Sequence, residues 1–189
     1  SEEESEEKDS KSGEEFQKVM LKIVEITRGT QSENAGFLLS NAVCEHLVQS
    51  PENMDRIILI AESGMLVNEG MNYVCLNSLE SLMNMSDGEI NILGKKISAN
   101  EECFNDYAVA GAVIEYPESI DTIIYLHDNG LFKEDSLKYY YINNIRQIIQ
   151  IPKEKIMDYI EVMRKIDKSP SQEIQRLKNQ LLVQILDAD

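Results

Sequence analysis

Pro51-Glu52-Asn53-Met54-Asp55-Arg56-Ile57-Ile58-Leu59-Ile60-Ala61-Glu62-Ser63-Gly64 is nearly rewritten further along as Pro117-Glu118-Ser119-Ile120-Asp121-Thr122-Ile123-Ile124-Tyr125-Leu126-His127-Asp128-Asn129-Gly130. The offset is 66 residues, and it holds without a gap from Asn34/Asn100 to Met85/Ile151. Eleven of those 52 pairs are identical, among them Ala42/Ala108, Pro51/Pro117, Ile57/Ile123, Gly64/Gly130, Tyr73/Tyr139 and Asn77/Asn143. Both copies obey the same local rules. A Pro sits where its missing N–H costs nothing, and a Glu follows at the positive end of a helix. An apolar run comes next, and a Gly suited to a left-handed cap closes it.

Helical periodicity continues on both sides of this stretch. Ser12-Gly13-Glu14-Glu15 has capping-box spacing, and Phe16, Val19, Met20, Ile23 and Ile26 follow at a 3.6-residue period, so a first helix is expected from there to about Arg28-Gly29. Further helices are expected over 33–49, 51–63 and 67–83, with a short one opened by the capping box Ser86-Asp87-Gly88-Glu89. The series then recurs over 101–115, 117–129, 134–149 and 152–166, and Ser169-Pro170-Ser171-Gln172 caps a last helix through Ile174, Leu177, Leu181 and Ile185. No segment alternates with period two for long enough to argue a strand. The expected fold class is all-α.

Breaks at Pro51, Ser86, Pro117 and Pro152 are 35, 31 and 35 residues apart, which divides the duplicated block into helix pairs. A pair of that size cannot bury its apolar face alone, but stacking on a neighbour does so, and the expected architecture is a short α-solenoid. Residues 1–13 read as a solvated acidic tail without structure, 14–168 as a helical-repeat domain, and 169–189 as a C-terminal capping helix.

The formal charge of −16 is uneven, since Ser1 to Glu15 hold eight acids against Lys8 and Lys11. Such a field repels nucleic-acid phosphates and anionic membranes and favours a basic partner. No apolar run approaches the roughly 18 residues of a membrane span. Cys44, Cys75 and Cys103 are widely spaced among apolar neighbours and read as buried free thiols in a reducing cytoplasmic or nuclear setting. His46 and His127 have no second ligand at metal spacing, and no glycine-rich phosphate loop occurs. Neither a metal, a cofactor nor enzymatic chemistry is expected. The chain begins at Ser1 rather than Met, which suits a segment of something longer.

The run Leu39-Ser40-Asn41-Ala42-Val43-Cys44, followed by Pro51-Glu52-Asn53-Met54-Asp55 and Gly64-Met65-Leu66, resembles an armadillo repeat. In that family a helix ending in Leu-Ser-Asn-Leu leads through a Pro-Glu-Asn turn into a helix that closes on Gly before an apolar pair. Cys75-Leu76-Asn77-Ser78-Leu79 and Tyr141-Ile142-Asn143-Asn144-Ile145 resemble the same helix end, and the likeness extends over about residues 33 to 165. The units are shorter than the family's, so a HEAT-like stack is the neighbouring alternative. Trp is absent, so the Trp-Asn ladder of nuclear-import armadillo proteins is not available. The resemblance implies a right-handed solenoid whose inner-face Asn residues hydrogen-bond the backbone of an extended peptide. The matching positions are Asn41, Asn77 and Asn143, where an amide donates and accepts at once. Solvated polar residues are the plainer reading of the same positions.

Tyr139-Tyr140-Tyr141 places rings at 100° steps around a helix, so at least one faces outward as an aromatic anchor. Tyr140 and Tyr141 are the expected partner-binding members, and Tyr139, like its counterpart Tyr73, is expected in the core. The functional expectation is a non-enzymatic scaffold presenting an acidic groove to a basic or extended peptide. The alternative is a compact regulatory or oligomerisation domain that holds a GTPase or kinase partner, or that self-associates through residues 169–189.

Overall fold

The computed structural model describes residues 1–30, 32–131, 135–167 and 176, and among them every regular element is a helix. The chain divides into two compact units, Ser1–Tyr107 and Ala108–Asp189. Apart from Arg176, the expected capping helix over 169–189 lies outside the described residues, as does the self-association assigned to it.

The first unit contains α1 (Glu2–Thr27), α2 (Ser32–Leu38), α3 (Asn41–Gln49), a 3-10 turn at Pro51–Asn53, α4 (Met54–Glu62), α5 (Glu69–Asn77), α6 (Leu79–Met83), α7 (Asp87–Ala99) and a 3-10 turn at Glu101–Phe104. The last residue of this unit begins α8 (Tyr107–Glu115), whose remainder lies in the second. A 3-10 turn at Pro117–Ser119, α9 (Ile120–Asp128), α10 (Asp135–Asn143), α11 (Ile145–Ile148) and α12 (Lys153–Asp167) follow.

Boundaries recur at the 66-residue offset. Both ends of α3 and α8, of α4 and α9, and of α5 and α10 stand 66 residues apart, as do the two proline turns and the first residues of α7 and α12. Gly64 (φ 94°) and Gly130 (φ 78°) occupy the left-handed region where only glycine is unstrained. Burial follows the same register, with Leu47 and Val113, Ile60 and Leu126, and Leu82 and Ile148 all in cores.

Three expectations are corrected. Residues 1–13 are not without structure but form the first half of α1. Ser1 Oγ accepts from the Glu4 N–H while Glu4 reaches back to the Ser1 nitrogen. Glu is a good helix former and is favoured at the positive helix end. A second correction concerns the helices expected over 33–49, 67–83 and 134–149, each of which is two. Ser40 turns extended and caps α3 by accepting from the Val43 N–H. Ser78 (φ −121°) and Asn144 (φ −116°) break the other two at matching positions, and both the side-chain amide and the backbone N–H of Asn144 donate to Tyr140 O. The stretch expected as one helix over 101–115 likewise splits into a 3-10 turn and α8.

In the first unit α1 packs on α3 and α2, α2 on α4, α4 on α7, and α3 on α5. The α4–α7 contact leaves no room for a side chain on α7 at Gly94. A β-carbon on Gly94 would lie 2.6 Å from Ser63 Cβ, and one on Gly64 would lie 3.0 Å from Gly94 O. The corresponding residues of the second unit are Asn129, Ile160 and Arg164, with Arg164 replacing Ser98. There Arg164 Nη2 donates to Asn129 Oδ1 at 3.0 Å, so a long side chain bridges what bare backbone touches in the first unit.

The second unit's core gathers Leu126, Leu131, Ile148, Ile156 and Met163 around Tyr141 and Tyr159, whose rings meet edge to face at 6.2 Å. Burial, with the neighbouring Tyr141 and Tyr140, holds the Tyr159 hydroxyl's pKa well above the usual tyrosine value. That hydroxyl has no hydrogen-bond partner among the described residues.

Gly94→Ala is expected to lower stability by about 1–3 kcal/mol through overpacking. Gly36→Ala, inside α2 with open space around it, is expected to raise stability by about 0.4–1 kcal/mol. Urea-unfolding midpoints of the two variants check the opposite signs. A further expectation concerns alkaline pH. The unfolded chain releases the Tyr159 proton near pH ~10 while the folded chain retains it, so stability present below ~10 declines as pH rises beyond it. Tyr159→Phe should flatten that decline and add about 1–2 kcal/mol at neutral pH, read by denaturant unfolding from pH 7 to 11.

Candidate functional site

The first turn of α5 is fixed by its own sequence. Asn68 Oδ1 accepts from the Met71 N–H at 2.9 Å, and Asn68 Nδ2 donates to Glu101 O at 3.0 Å. Two residues on, Gly70 lets the α5 backbone rest on the 104–105 corner, since a β-carbon there would lie 3.1 Å from Phe104 O and nearer still to Asn105 O. One turn further, the Tyr73 ring stacks on Tyr107 with centroids 4.8 Å apart and planes at 29°. Both rings are half in solvent, at 54% and 50% exposure. Glu69, Tyr73 and Asn77 stand four residues apart, which aligns them on one face of α5, and all three are exposed.

This stripe lies in a stretch with an excess of acids. From Ile57 to Tyr107 there are eight acids against Lys95 and Lys96, a net charge of −6. All eight are exposed except the half-buried Asp106, which adjoins Tyr107 in sequence. Glu101 and Glu102 belong to the segment that Asn68 ties to α5. Asp87 is paired with Arg56 at 3.0 Å. The result is an aromatic pair with carboxylates on both of the segments that carry it.

The expected binding residues divide. Asn77 and Asn143 are the last residues of α5 and α10 and are exposed at matching positions. Asn41 is exposed as well, but it opens α3 and does not share their place at a helix end. Tyr141 is a correction, for it is fully buried against Tyr159 and cannot anchor a partner. Tyr140 is half-buried, and its hydroxyl is pushed up in pKa by that burial. The outward ring is Tyr139, 68% exposed, and Tyr73 faces solvent in the same way. Tyr139 and Asn143 therefore repeat the Tyr73/Asn77 spacing, although Glu173 stands where a second Tyr107 would be. The identical pairs Tyr73/Tyr139 and Asn77/Asn143, four residues apart in each copy, were the sequence signal for this face. Nothing in the sequence marked Tyr107 as its neighbour.

A second feature of this unit is an open cleft of about 570 Å³ beside α1, with Val19, Leu47, Val48 and Met54 on its floor and Lys18, Lys22, Glu15 and Glu25 at its rim. Leu21, also lining it, is 70% exposed.

Among the described residues no group of three or more His, Cys, Asp or Glu side chains could hold a metal ion. Asn53 Nδ2 lies 2.9 Å from His46 Nε2, which ties α3 to the proline turn. The three cysteines are buried and form no disulfide with one another. Burial pushes the Cys75 thiol up to about 12, and burial with the Glu45 charge raises Cys44, so both remain protonated and weakly nucleophilic at neutral pH. No helix among the described residues is long and apolar enough to cross a membrane. Set against protein-family models, curated proteins and solved structures, the chain has no match.

Gly70→Ala should push α5 off the 104–105 corner and unstack Tyr73 from Tyr107. The expected readout is a loss of near-ultraviolet tyrosine dichroism together with about 1–3 kcal/mol of stability. Tyr73→Ala should remove the same signal at less than about 1 kcal/mol, because its ring is half in water already.

Proposed function

We propose that this chain is a non-enzymatic protein-binding module that holds a basic, extended segment of its partner on an acidic face. The observation that carries this reading is the exposed stripe Glu69–Tyr73–Asn77 with Tyr107 stacked beside it. Each member has a use in such a complex. The rings supply rigid contact area at small entropic cost, the Asn amide matches a peptide unit, and the carboxylates speed encounter with a cationic chain. A solenoid of stacked helix pairs, armadillo- or HEAT-like, is the architecture we propose for the presentation. Its support is the recurrence of helix boundaries and buried positions at 66 residues.

The other reading, a regulatory or self-associating domain, is favoured by one observation, the exposure of Leu21 at the cleft beside α1. Sedimentation of the full chain separates the two. A concentration-dependent dimer that Leu21→Glu abolishes would support the second reading over the first.

The first reading predicts measurable binding of a labelled peptide of alternating Arg and Ser. Its affinity should fall about tenfold or more as salt rises from about 20 to 150 mM, because exposed charges are screened beyond roughly 8 Å at the higher value. Asn77→Ala combined with Asn143→Ala should cost about 1–2 kcal/mol of binding, with an unchanged unfolding midpoint. Fluorescence anisotropy and thermal unfolding check the two halves of that statement, and unchanged affinity would remove the amides from the proposal.

A further inference from the structure

We infer that the Tyr73–Tyr107 pair selects arginine over lysine in the bound segment, an assignment that rests on the proposed binding of a basic chain. Two features of the pair lead there. The rings are nearly parallel and offset, so each keeps a flat outer face, and both are half exposed. A guanidinium is planar, weakly hydrated and able to lie flat on such a face while its edge N–H groups point outward in a fork. A lysine ammonium is a compact, strongly hydrated point charge that gains less from a stacked ring.

The surroundings meet the fork. Glu69 lies one helical turn before Tyr73 on the same face, Asp106 directly precedes Tyr107, and Glu101 and Glu102 sit on the segment joined to Asn68. A carboxylate beside a ring lets a single guanidinium stack and donate two parallel hydrogen bonds from its edge to the carboxylate oxygens, which an ammonium cannot reproduce. The occupant is therefore an arginine-bearing peptide segment, fixed by charge complementarity and by the flatness of the platform.

The second copy supplies an internal control. Tyr139 is exposed on α10 at the position of Tyr73, but residue 173, at the offset from Tyr107, is a glutamate.

The test uses the full chain and two labelled peptides, Arg-Ser and Lys-Ser repeats of equal length and charge, with dissociation constants from fluorescence anisotropy at fixed salt. The Arg peptide is expected to bind about fivefold or more tightly than the Lys peptide. Tyr73→Leu, which keeps apolar bulk and loses the π face, and Tyr107→Leu should each bring the ratio to about one by weakening the Arg peptide more than the Lys peptide. Tyr73→Phe should preserve the ratio, and so should Tyr139→Ala. Equal binding of the two peptides by the unaltered chain, or a ratio that survives both Leu variants, overturns arginine selection and leaves basic-segment binding standing. A ratio abolished by Tyr139→Ala moves the platform to the second unit and overturns the assignment as well. Failure of both peptides to bind at low salt overturns the underlying function with it.

Discussion

The end of α4 meets α7 with no space for one added methyl group. Ser63 and Gly64 lie against Gly94 and Ser98, and the contact depends on Gly94 having no side chain and on Gly64 turning the chain in the left-handed region. Backbone packed at this distance loses solvent on both sides, so the polar groups of the turn must be satisfied locally. They are, since Ser63 Oγ donates to Ile60 O and accepts from the Met65 N–H. This joint fixes where the chain leaves α4 and sets out for α5. The position of α5 on the 104–105 corner, and so the Tyr73–Tyr107 stack, follows from a second contact of the same kind at Gly70.

The second unit reaches an equivalent joint by different chemistry. Ile160 occupies the position of Gly94 and is buried in a cluster with Tyr159 and Met163, and Arg164 reaches Asn129 where Ser98 touches Gly64. Helix boundaries have nevertheless stayed in register while the side chains at the joint exchanged size and polarity. Boundaries are set by proline and glycine, whose effects are local and do not depend on what packs against them. Interior positions need only agree in apolar character and total volume, so they diverge first.

That distinction also explains what could be read in the chain and what could not. Pro51/Pro117 and Gly64/Gly130 marked helix starts and stops because their geometry belongs to the residue itself. The interruptions at Ser40, Ser78 and Asn144 were hidden from the apolar period, which runs straight through them, and only the likeness of these stretches to repeat helix ends pointed to a break there. The acidic start misled because a segment with nothing to bury can still be helical when its residues are strong helix formers with a satisfied cap. Tyr141 was legible in principle: its counterpart across the offset is Cys75, and both are buried, whereas Tyr139 pairs with the exposed Tyr73. The Tyr73–Tyr107 contact was not legible, because it spans 34 residues and depends on the close approach that Gly70 permits.

An exposed tyrosine pair is not required by this fold. The α5 helix is held by buried Met71, Val74 and Cys75 and by the close approach of Gly70 to the 104–105 corner, and none of these needs the Tyr73 ring; the second copy has no ring at the offset from Tyr107. Stacking the two rings hides part of each from water, which lowers the cost of displaying aromatic surface without hiding the faces a ligand would use. Surrounding carboxylates keep that surface soluble and repel a second copy of it, while attracting cations. The same acids would be a liability around an ordinary core-facing aromatic, where desolvating them costs more than the ring gains. Placed at the edge of an exposed pair they need not be desolvated by the fold, and this ordering of aromatic centre and charged margin suits the flat, charged side chain we propose for it.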